Sequence, residues 1–192
     1  RWAGGRRWLV LALEFGPRDD VLRWANEVVA QHADRSVIFI THAYLRPDGS
    51  RFDRHVPFTN PDKSFDQSGA APANKGFDRY PLSKSPEGFN DGGDIWRKLV
   101  APHANFALVV CGHDCISSRL SSTGEHGNVV QQMMVDYQTQ ENGGNGVLRL
   151  LQFLPDGKTL RVRDYSPFLD ETIVAADRAY DLPLAAAPNA AR

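Results

Sequence analysis

Two short apolar runs, each ending in a histidine, place the strongest constraint on the fold. SVIFITHAYL, residues 36 to 45, is almost wholly apolar up to the point where His42 follows. NFALVVCGHDC, residues 105 to 115, breaks off in the same way at His113. Runs of this length and composition are typical of buried strands. The sequence therefore predicts two core strands whose ends carry imidazole side chains.

The first 45 residues alternate strand, helix and strand signals. RRWLVLALEF, residues 6 to 15, predicts a first buried strand. A helix follows from Pro17, with Asp19 and Asp20 suited to the positive end of its dipole. The apolar run at 37 to 41 then predicts a second strand. This order favours a βαβ unit, in which the two strands are parallel.

The remaining signals complete a mixed prediction of α/β (α+β) class. GGDIWRKLVAPHANF predicts a short helix capped by Asp94, directly before the strand that leads to His113. GNVVQQMMVDYQ predicts a further strand, and VLRLLQFLPDGKTLRVRDYSP predicts a hairpin that turns at Pro155-Asp156-Gly157. Both histidines therefore follow a helix and a strand.

The chain length of 192 residues fits one domain, predicted here to span residues 1–170. Within it, residues 46–92 are rich in Pro, Gly, Asp, Asn and Ser and predict a long insertion loop. Residues 171–192 form an Ala/Pro-rich tail, interpreted as a linker or a frayed end.

Charge and hydropathy exclude some partners. The net charge is −1, which gives no electrostatic reason to expect a nucleic-acid duplex. No apolar run reaches the roughly 20 residues of a membrane-spanning helix, so no membrane span is expected. Cys111 and Cys115 are four residues apart, one closing a predicted strand, and a disulfide framework is not expected.

The two strand-end histidines are the candidate metal ligands. Ligands of α/β proteins collect at the carboxyl edge of parallel sheets, so His42 and His113 can aim at one point. Histidine is also the commonest metal-binding side chain. The alternative, that each imidazole only hydrogen-bonds a neighbouring loop, stays open at this stage. His126 and Arg119 are interpreted as surface residues, and NGGNG, residues 142 to 146, as a turn.

FITHAYL and VVCGHDC resemble the last two metal-ligand blocks of the calcineurin-like metallophosphoesterases. LEFGPRDDVLRWANEVV, NDGGDIWRKLV, GNVVQQMMVDYQ and NGGNGVLRLLQFLPDG resemble stretches that border those ligands in one branch of the family. The resemblance covers residues 8 to 167. It implies a β-sandwich flanked by helices and a centre of two divalent ions, Fe, Zn or Mn, that hydrolyses phosphate esters. Carried over, His42 and His113 would be metal ligands.

The sequence departs from the family pattern in two places. Cys115 stands where the family has a second histidine, and either Cys115 or Asp114 is a candidate replacement. The family's earlier Asp-x-His, Gly-Asp-x-x-Asp and Gly-Asn-His blocks find no convincing match. Asp53-Arg54-His55 has the first spacing, but it follows His42 and is interpreted as chance. The resemblance thus implies a metallophosphoesterase-like fold that is incomplete at its N-terminal side.

The functional expectation is a metallophosphoesterase acting on a phosphate-ester small molecule or nucleotide. The missing N-terminal half of the same domain would be its partner, and the isolated chain is expected to have little or no activity. The resemblance favours a secreted or periplasmic protein. The alternative is a non-catalytic β-rich binding module, associated with carbohydrate, in which the histidines are incidental.

Overall fold

Two β-sheets and a helical layer make up the part of the chain that the computed structural model describes, residues 2–56, 80–114 and 117–188. The strands of the first sheet are β1 (Trp2–Ala3), β2 (Arg6–Ala12), β3 (Ser36–Ile40), β4 (Phe106–Cys111), β5 (Ser118–Thr123) and β6 (Val129–Met134). Those of the second sheet are β7 (Leu148–Phe153), β8 (Thr159–Ser166), β9 (Glu171–Ile173) and β10 (Tyr180–Pro183). The helices are α1 (Asp19–Gln31) and α2 (Gly92–Ile95), which continues as a π-helical turn (Trp96–Val100), with 3₁₀ turns at Pro81–Lys84 and Glu141–Gly143.

The first sheet has the order β1-β2-β3-β4-β6-β5. Strands β2, β3, β4 and β6 are parallel, whereas β1 and β5 pair antiparallel with their neighbours. The predicted βαβ unit is confirmed, because α1 connects the parallel pair β2 and β3. Ile40 at the end of β3 pairs with Val110 of β4. The two strands therefore end at the same edge of the sheet.

The second sheet has the order β10-β8-β7, and β9 also pairs with β8. The predicted hairpin is confirmed as β7 and β8, paired antiparallel from Leu148↔Tyr165 to Phe153↔Leu160. The side chain of Asp156 stabilises the turn, since its carboxylate accepts the backbone N–H groups of Lys158 and Thr159. These local hydrogen bonds explain why the sequence alone predicted the turn.

The first sheet separates two hydrophobic layers. On one face it packs against α1 and α2, with the fully buried side chains of Val29, Phe39 and Leu99 in the shared core. On the other face Leu108 packs with Val162 of the second sheet and its neighbours. The result is a helix–sheet–sheet arrangement, a mixed α/β fold dominated by strands. Among the described residues, no helix is long and apolar enough to cross a membrane.

Several local predictions differ from the structure. Asp94 is not the cap of α2: the cap is Asp91, whose carboxylate accepts the backbone N–H of Asp94 at 3.0 Å. The helix begins earlier because Gly92 and Gly93 are part of its first turn. Strand β5 was not predicted, because its sequence SRLSST is polar and lies at the edge of the sheet.

Two predicted irregular segments contain regular structure. The interval 171–192, interpreted as a linker or a frayed end, holds β9 and β10, both paired with β8. Within the interval 46–92, Arg51 forms a β-bridge with Leu45, and the interval also holds the 3₁₀ turn at Pro81–Lys84 and the first residue of α2. Residues 57–79 of this predicted loop lie outside the described residues.

A buried ion pair lies on the inner face of the second sheet. Arg149 binds Asp164 with two nitrogens, Nε to Oδ1 at 2.7 Å and Nη2 to Oδ2 at 2.9 Å. Asp164 is fully buried, and the hydroxyl of Tyr137 donates to its Oδ2. Burial and this hydrogen bond to a carboxylate raise the pKa of Tyr137 to about 12. The cluster links the segment after β6 to β7 and β8.

Replacing Asp164 with Ala should lower the free energy of unfolding by about 3 kcal/mol, because Arg149 would be left buried without its counterion. Asp181→Ala is the matched control, since Asp181 pairs with Arg161 on the surface and its loss should cost less than about 1 kcal/mol. Urea denaturation of the two variants measures the difference. Equal losses would contradict the assigned role of the buried pair.

Candidate functional site

The imidazoles of His42 and His113 lie in contact at the carboxyl edge of the first sheet. His42 follows β3 by one residue, Thr41, and His113 follows β4 by one residue, Gly112. Nδ1 of His113 is 2.9 Å from Nε2 of His42, and the ring centroids are 4.8 Å apart. The positions of the two histidines at strand ends predicted that their rings would converge, and the structure brings them together.

Backbone hydrogen bonds continue the sheet past the strand ends and fix both histidines. Thr41 donates its N–H to Val110 at 3.2 Å, and Gly112 donates to the carbonyl of His42 at 2.9 Å. His113 then turns away with a φ of 82°, a left-handed conformation that costs a non-glycine residue about 1–2 kcal/mol. Such strain persists where the surroundings hold it, and it clusters at functional sites.

The contact between the rings depends on which nitrogen of each imidazole carries the proton. A neutral imidazole carries one N–H, so at a nitrogen–nitrogen distance of 2.9 Å one ring donates and the other accepts. If both rings bound one cation, both facing nitrogens, Nδ1 of His113 and Nε2 of His42, would have to be unprotonated. The proton of His113 would then sit on Nε2, which is 3.4 Å from the hydroxyl of Tyr80.

Aromatic side chains surround the imidazole pair. The ring of Phe15 meets that of His42 edge-on at 5.2 Å and lies 5.4 Å from His113. Phe15 also contacts Tyr80 and Phe89, with centroids at 5.1 and 6.3 Å. Gly16 permits this packing, because a Cβ at that position would lie 1.8 Å from the Phe89 ring. The imidazoles therefore have an apolar wall on one side.

The pair has the donor chemistry of two ligands to one cation, at a shorter spacing than bound ligands have. Two imidazole nitrogens bound to a tetrahedral zinc ion, each at about 2.0–2.1 Å, lie about 3.3 Å apart. The facing nitrogens of His42 and His113 are 2.9 Å apart, so they would have to separate by about 0.4 Å to bind one such ion. Within residues 2–56, 80–114 and 117–188, however, no group of three or more His, Cys, Asp or Glu side chains is placed to hold a metal. Two imidazole nitrogens are fewer than the three protein ligands that a catalytic zinc ion normally has.

Asp114 and Cys115 are the other candidate ligands, and Cys111 is the cysteine that ends β4. Asp114 is half-buried beside His113, whereas Cys115 lies outside the described residues, so the choice between them stays a prediction. Cys111 faces the core, where Leu45 donates its N–H to the sulfur at 3.4 Å. Burial raises the pKa of Cys111 to about 12, which keeps it a neutral thiol and not a metal-binding thiolate.

The remaining polar residues singled out in the sequence have structural partners. Asp53 pairs with Arg97 at 2.6 Å. The imidazole Nε2 of His126 lies 3.0 Å from the carbonyl of Pro102. Arg119 stacks on the ring of Tyr180, with 4.4 Å between the guanidinium carbon and the ring centroid. None of these contacts includes either strand-end imidazole.

Phe15 and Tyr80 contact the imidazoles and were not predicted as site residues. Phe15 follows β2, which lies beside β3, so the strand-end rule that selected the histidines could have found it. Tyr80 comes from the interval predicted as an insertion loop, and no pattern in the sequence marks it. Gln138 is a further contact, since its amide donates to the carbonyl of His113 at 3.4 Å.

Comparison with known proteins identifies a similar protein but no matching family model. No family model matches the chain. The chain is 27% identical over 175 residues to the uncharacterized protein YvnB of Bacillus subtilis strain 168. That alignment covers 88% of this chain but only 11% of the length of YvnB. This chain is therefore similar to a small part of a much longer protein.

The conformation of His113 predicts the relative stability of two variants. His113→Gly and His113→Ala both remove the imidazole, but only alanine keeps a Cβ in the left-handed conformation. The glycine variant should be the more stable by about 1 kcal/mol in urea denaturation. His42, which has no positive φ, is the control, where glycine should be less stable than alanine by up to about 1 kcal/mol. The same order at both positions would contradict the strained turn.

Proposed function

We propose that this chain is the carboxyl-terminal half of a two-metal phosphoesterase domain. His42 and His113 are two of its metal ligands, and the remaining ligands come from polypeptide outside the chain. The observation that carries the proposal is the pair of facing imidazole nitrogens, 2.9 Å apart, at the ends of two adjacent parallel strands. The resemblance of FITHAYL and VVCGHDC to the family's last ligand blocks supports the same assignment.

The zero charge of the two imidazoles explains why the proposed metal site needs further ligands from outside the chain. Two neutral imidazoles bind a divalent ion but leave its charge unbalanced, and a two-metal centre also needs carboxylates. Divalent ions, Fe, Zn or Mn, would supply Lewis acidity and an activated water for attack on phosphorus. The carboxylates would belong to the missing N-terminal half of the same domain. This proposal accounts for a paired but incomplete site.

The chain's own residues orient and shield the site. The backbone bonds of Thr41 and Gly112 hold both imidazoles at one edge, and the hydroxyl of Tyr80 is the hydrogen-bond partner of Nε2 of His113. The ring of Phe15 packs against one side of both imidazoles. Phe15 and Tyr80 are half-buried, and their rings suit an ester with a planar organic group. The proposed substrate is therefore a phosphate-ester small molecule or nucleotide.

Activity of the whole encoded polypeptide, loaded with Mn²⁺, Zn²⁺ or Fe²⁺, tests the proposal. It should hydrolyse p-nitrophenyl phosphate or bis(p-nitrophenyl) phosphate, and His42→Ala or His113→Ala should each lower kcat/KM about 100-fold or more, since even partners of metal ligands contribute 10- to 100-fold. His126→Ala is the matched control, because that imidazole contacts only a backbone carbonyl among the contacts described above. It should leave kcat/KM unchanged.

The chain alone provides a second comparison. Residues 1–192 without further polypeptide should bind these ions weakly and give no measurable turnover, because two neutral ligands are too few. Isothermal titration with Zn²⁺ measures the affinity of both forms. Tight stoichiometric binding with turnover by the chain alone would contradict the half-site. A whole polypeptide that binds no metal and hydrolyses neither ester would favour the carbohydrate-associated binding module.

A further inference from the structure

A small pocket lies at the edge of the first sheet opposite to the imidazoles. It has a volume of about 130 Å³, and Arg6 is part of its wall. Arg6 begins β2, whereas Ala12 ends it and pairs with Ile40 at the edge that carries the imidazoles. At about 3.3 Å per residue, the length of β2 separates the pocket from the imidazoles by roughly 20 Å. The pocket is therefore a different place from the proposed metal site.

A tight hairpin turn places Arg6 and Arg7 on opposite faces of the first sheet. Gly4 and Gly5 join β1 to β2 with φ values of 54° and 71°, a two-residue turn that glycine adopts readily. Arg6 shares a face with Trp8, because alternate residues of a strand point to the same side. Its guanidinium carbon is 5.4 Å from the centroid of the Trp8 ring, and Trp8 packs in the core between the sheets. The side chain of Arg6 is thus directed between the two sheets.

The guanidinium of Arg6 is buried without a counterion among the described residues. Arg6 is only 4% exposed. Its Nη1 donates to the hydroxyl of Ser36 at 3.3 Å, and its Nη2 donates to the carbonyl of Gly157. Both of these acceptors are uncharged. Within residues 2–56, 80–114 and 117–188, Nε has no hydrogen-bond partner, and no carboxylate forms an ion pair with the guanidinium. A guanidinium carries five N–H groups, so several of them are unused.

The carboxylates near Arg6 already have other partners. Asp34 pairs with Arg7 at 2.7 Å and lies 3.9 Å from Arg35. Asp156 interacts with Arg6 only through its charge, since its carboxylate accepts the backbone N–H groups of its own turn. The charged residues in the pocket wall are Arg6, Arg7 and Asp34. Two arginines and one aspartate give the wall a net positive charge.

We propose that this pocket binds a small oxyanion, either inorganic phosphate or a carboxylate. The N–H groups of Arg6 that Ser36 and Gly157 leave unused would donate to the ligand, whose negative charge would compensate the buried guanidinium. The planar guanidinium matches both kinds of oxyanion in geometry. The pocket has the volume of about four water molecules, which is enough for phosphate or acetate. The inference does not depend on the proposed function, because the pocket and the imidazoles lie at opposite edges of the sheet.

Isothermal titration of the whole encoded polypeptide with phosphate and with acetate tests the proposal. The polypeptide is freed of metal beforehand, so that phosphate cannot bind through an ion at the imidazoles. At least one of the two anions should bind, and the anion that binds more tightly identifies the ligand as a phosphate or a carboxylate. Absence of binding by both anions would overturn the proposal.

A substitution assigns the binding to this pocket. Arg6→Met removes the charge and keeps an unbranched side chain, and it should weaken binding at least about 10-fold, because hydrogen bonds from a charged donor are lost. Arg161→Met is the matched control, since Arg161 is a surface arginine of β8 that pairs with Asp181. It should leave the affinity unchanged. Equal affinities of Arg6→Met and the unaltered polypeptide would overturn the proposal.

A crystal structure gives a readout that needs no substitution and serves if Arg6→Met does not fold. Crystals of the whole encoded polypeptide are grown with the anion that the titration selects. The structure should show that anion with an oxygen about 2.7–3.2 Å from a guanidinium nitrogen of Arg6. A pocket that holds only water beside Arg6, or that another segment of the polypeptide fills, would overturn the proposal.

Discussion

The parallel pairing of β3 with β4 is the constraint on which the rest of the structure depends. The register Ile40↔Val110 ends both strands at one edge, and the hydrogen bond from Gly112 to the carbonyl of His42 extends that register past the strands. A shift of one residue would turn the core side chains of a strand to the opposite face. Burial of Phe39 and Val109 against the helices thus fixes the position of the imidazoles as well.

The hydrogen bond between the two imidazoles does not by itself explain why they are held together. An exposed His42 and a left-handed His113 gain little stability from each other, because a net hydrogen bond contributes only about 1 kcal/mol and the backbone of His113 costs about as much. The proposed function gives this arrangement a purpose, since a bound cation would replace the shared proton.

Patterns with a strong local cause were predictable from the sequence. The βαβ unit follows from apolar runs around an amphipathic helix, and the β7–β8 hairpin follows from Pro155-Asp156-Gly157, where Asp156 bonds its own turn. Features that depend on distant partners were not predictable. Strand β5 is polar and is a strand because β6 pairs with it. Asp164 is buried because Arg149 neutralises it, and Tyr80 meets His113 across 33 residues.

The central claim is that the facing nitrogens of His42 and His113 bind one divalent ion. A crystal structure of the whole encoded polypeptide grown with Zn²⁺, with anomalous scattering measured at the zinc edge, examines those atoms directly. The account predicts an anomalous peak about 2.1 Å from both Nε2 of His42 and Nδ1 of His113, with carboxylates from outside residues 1–192 completing the shell. A structure in which the two rings keep their direct hydrogen bond, with no anomalous peak beside them, would contradict it.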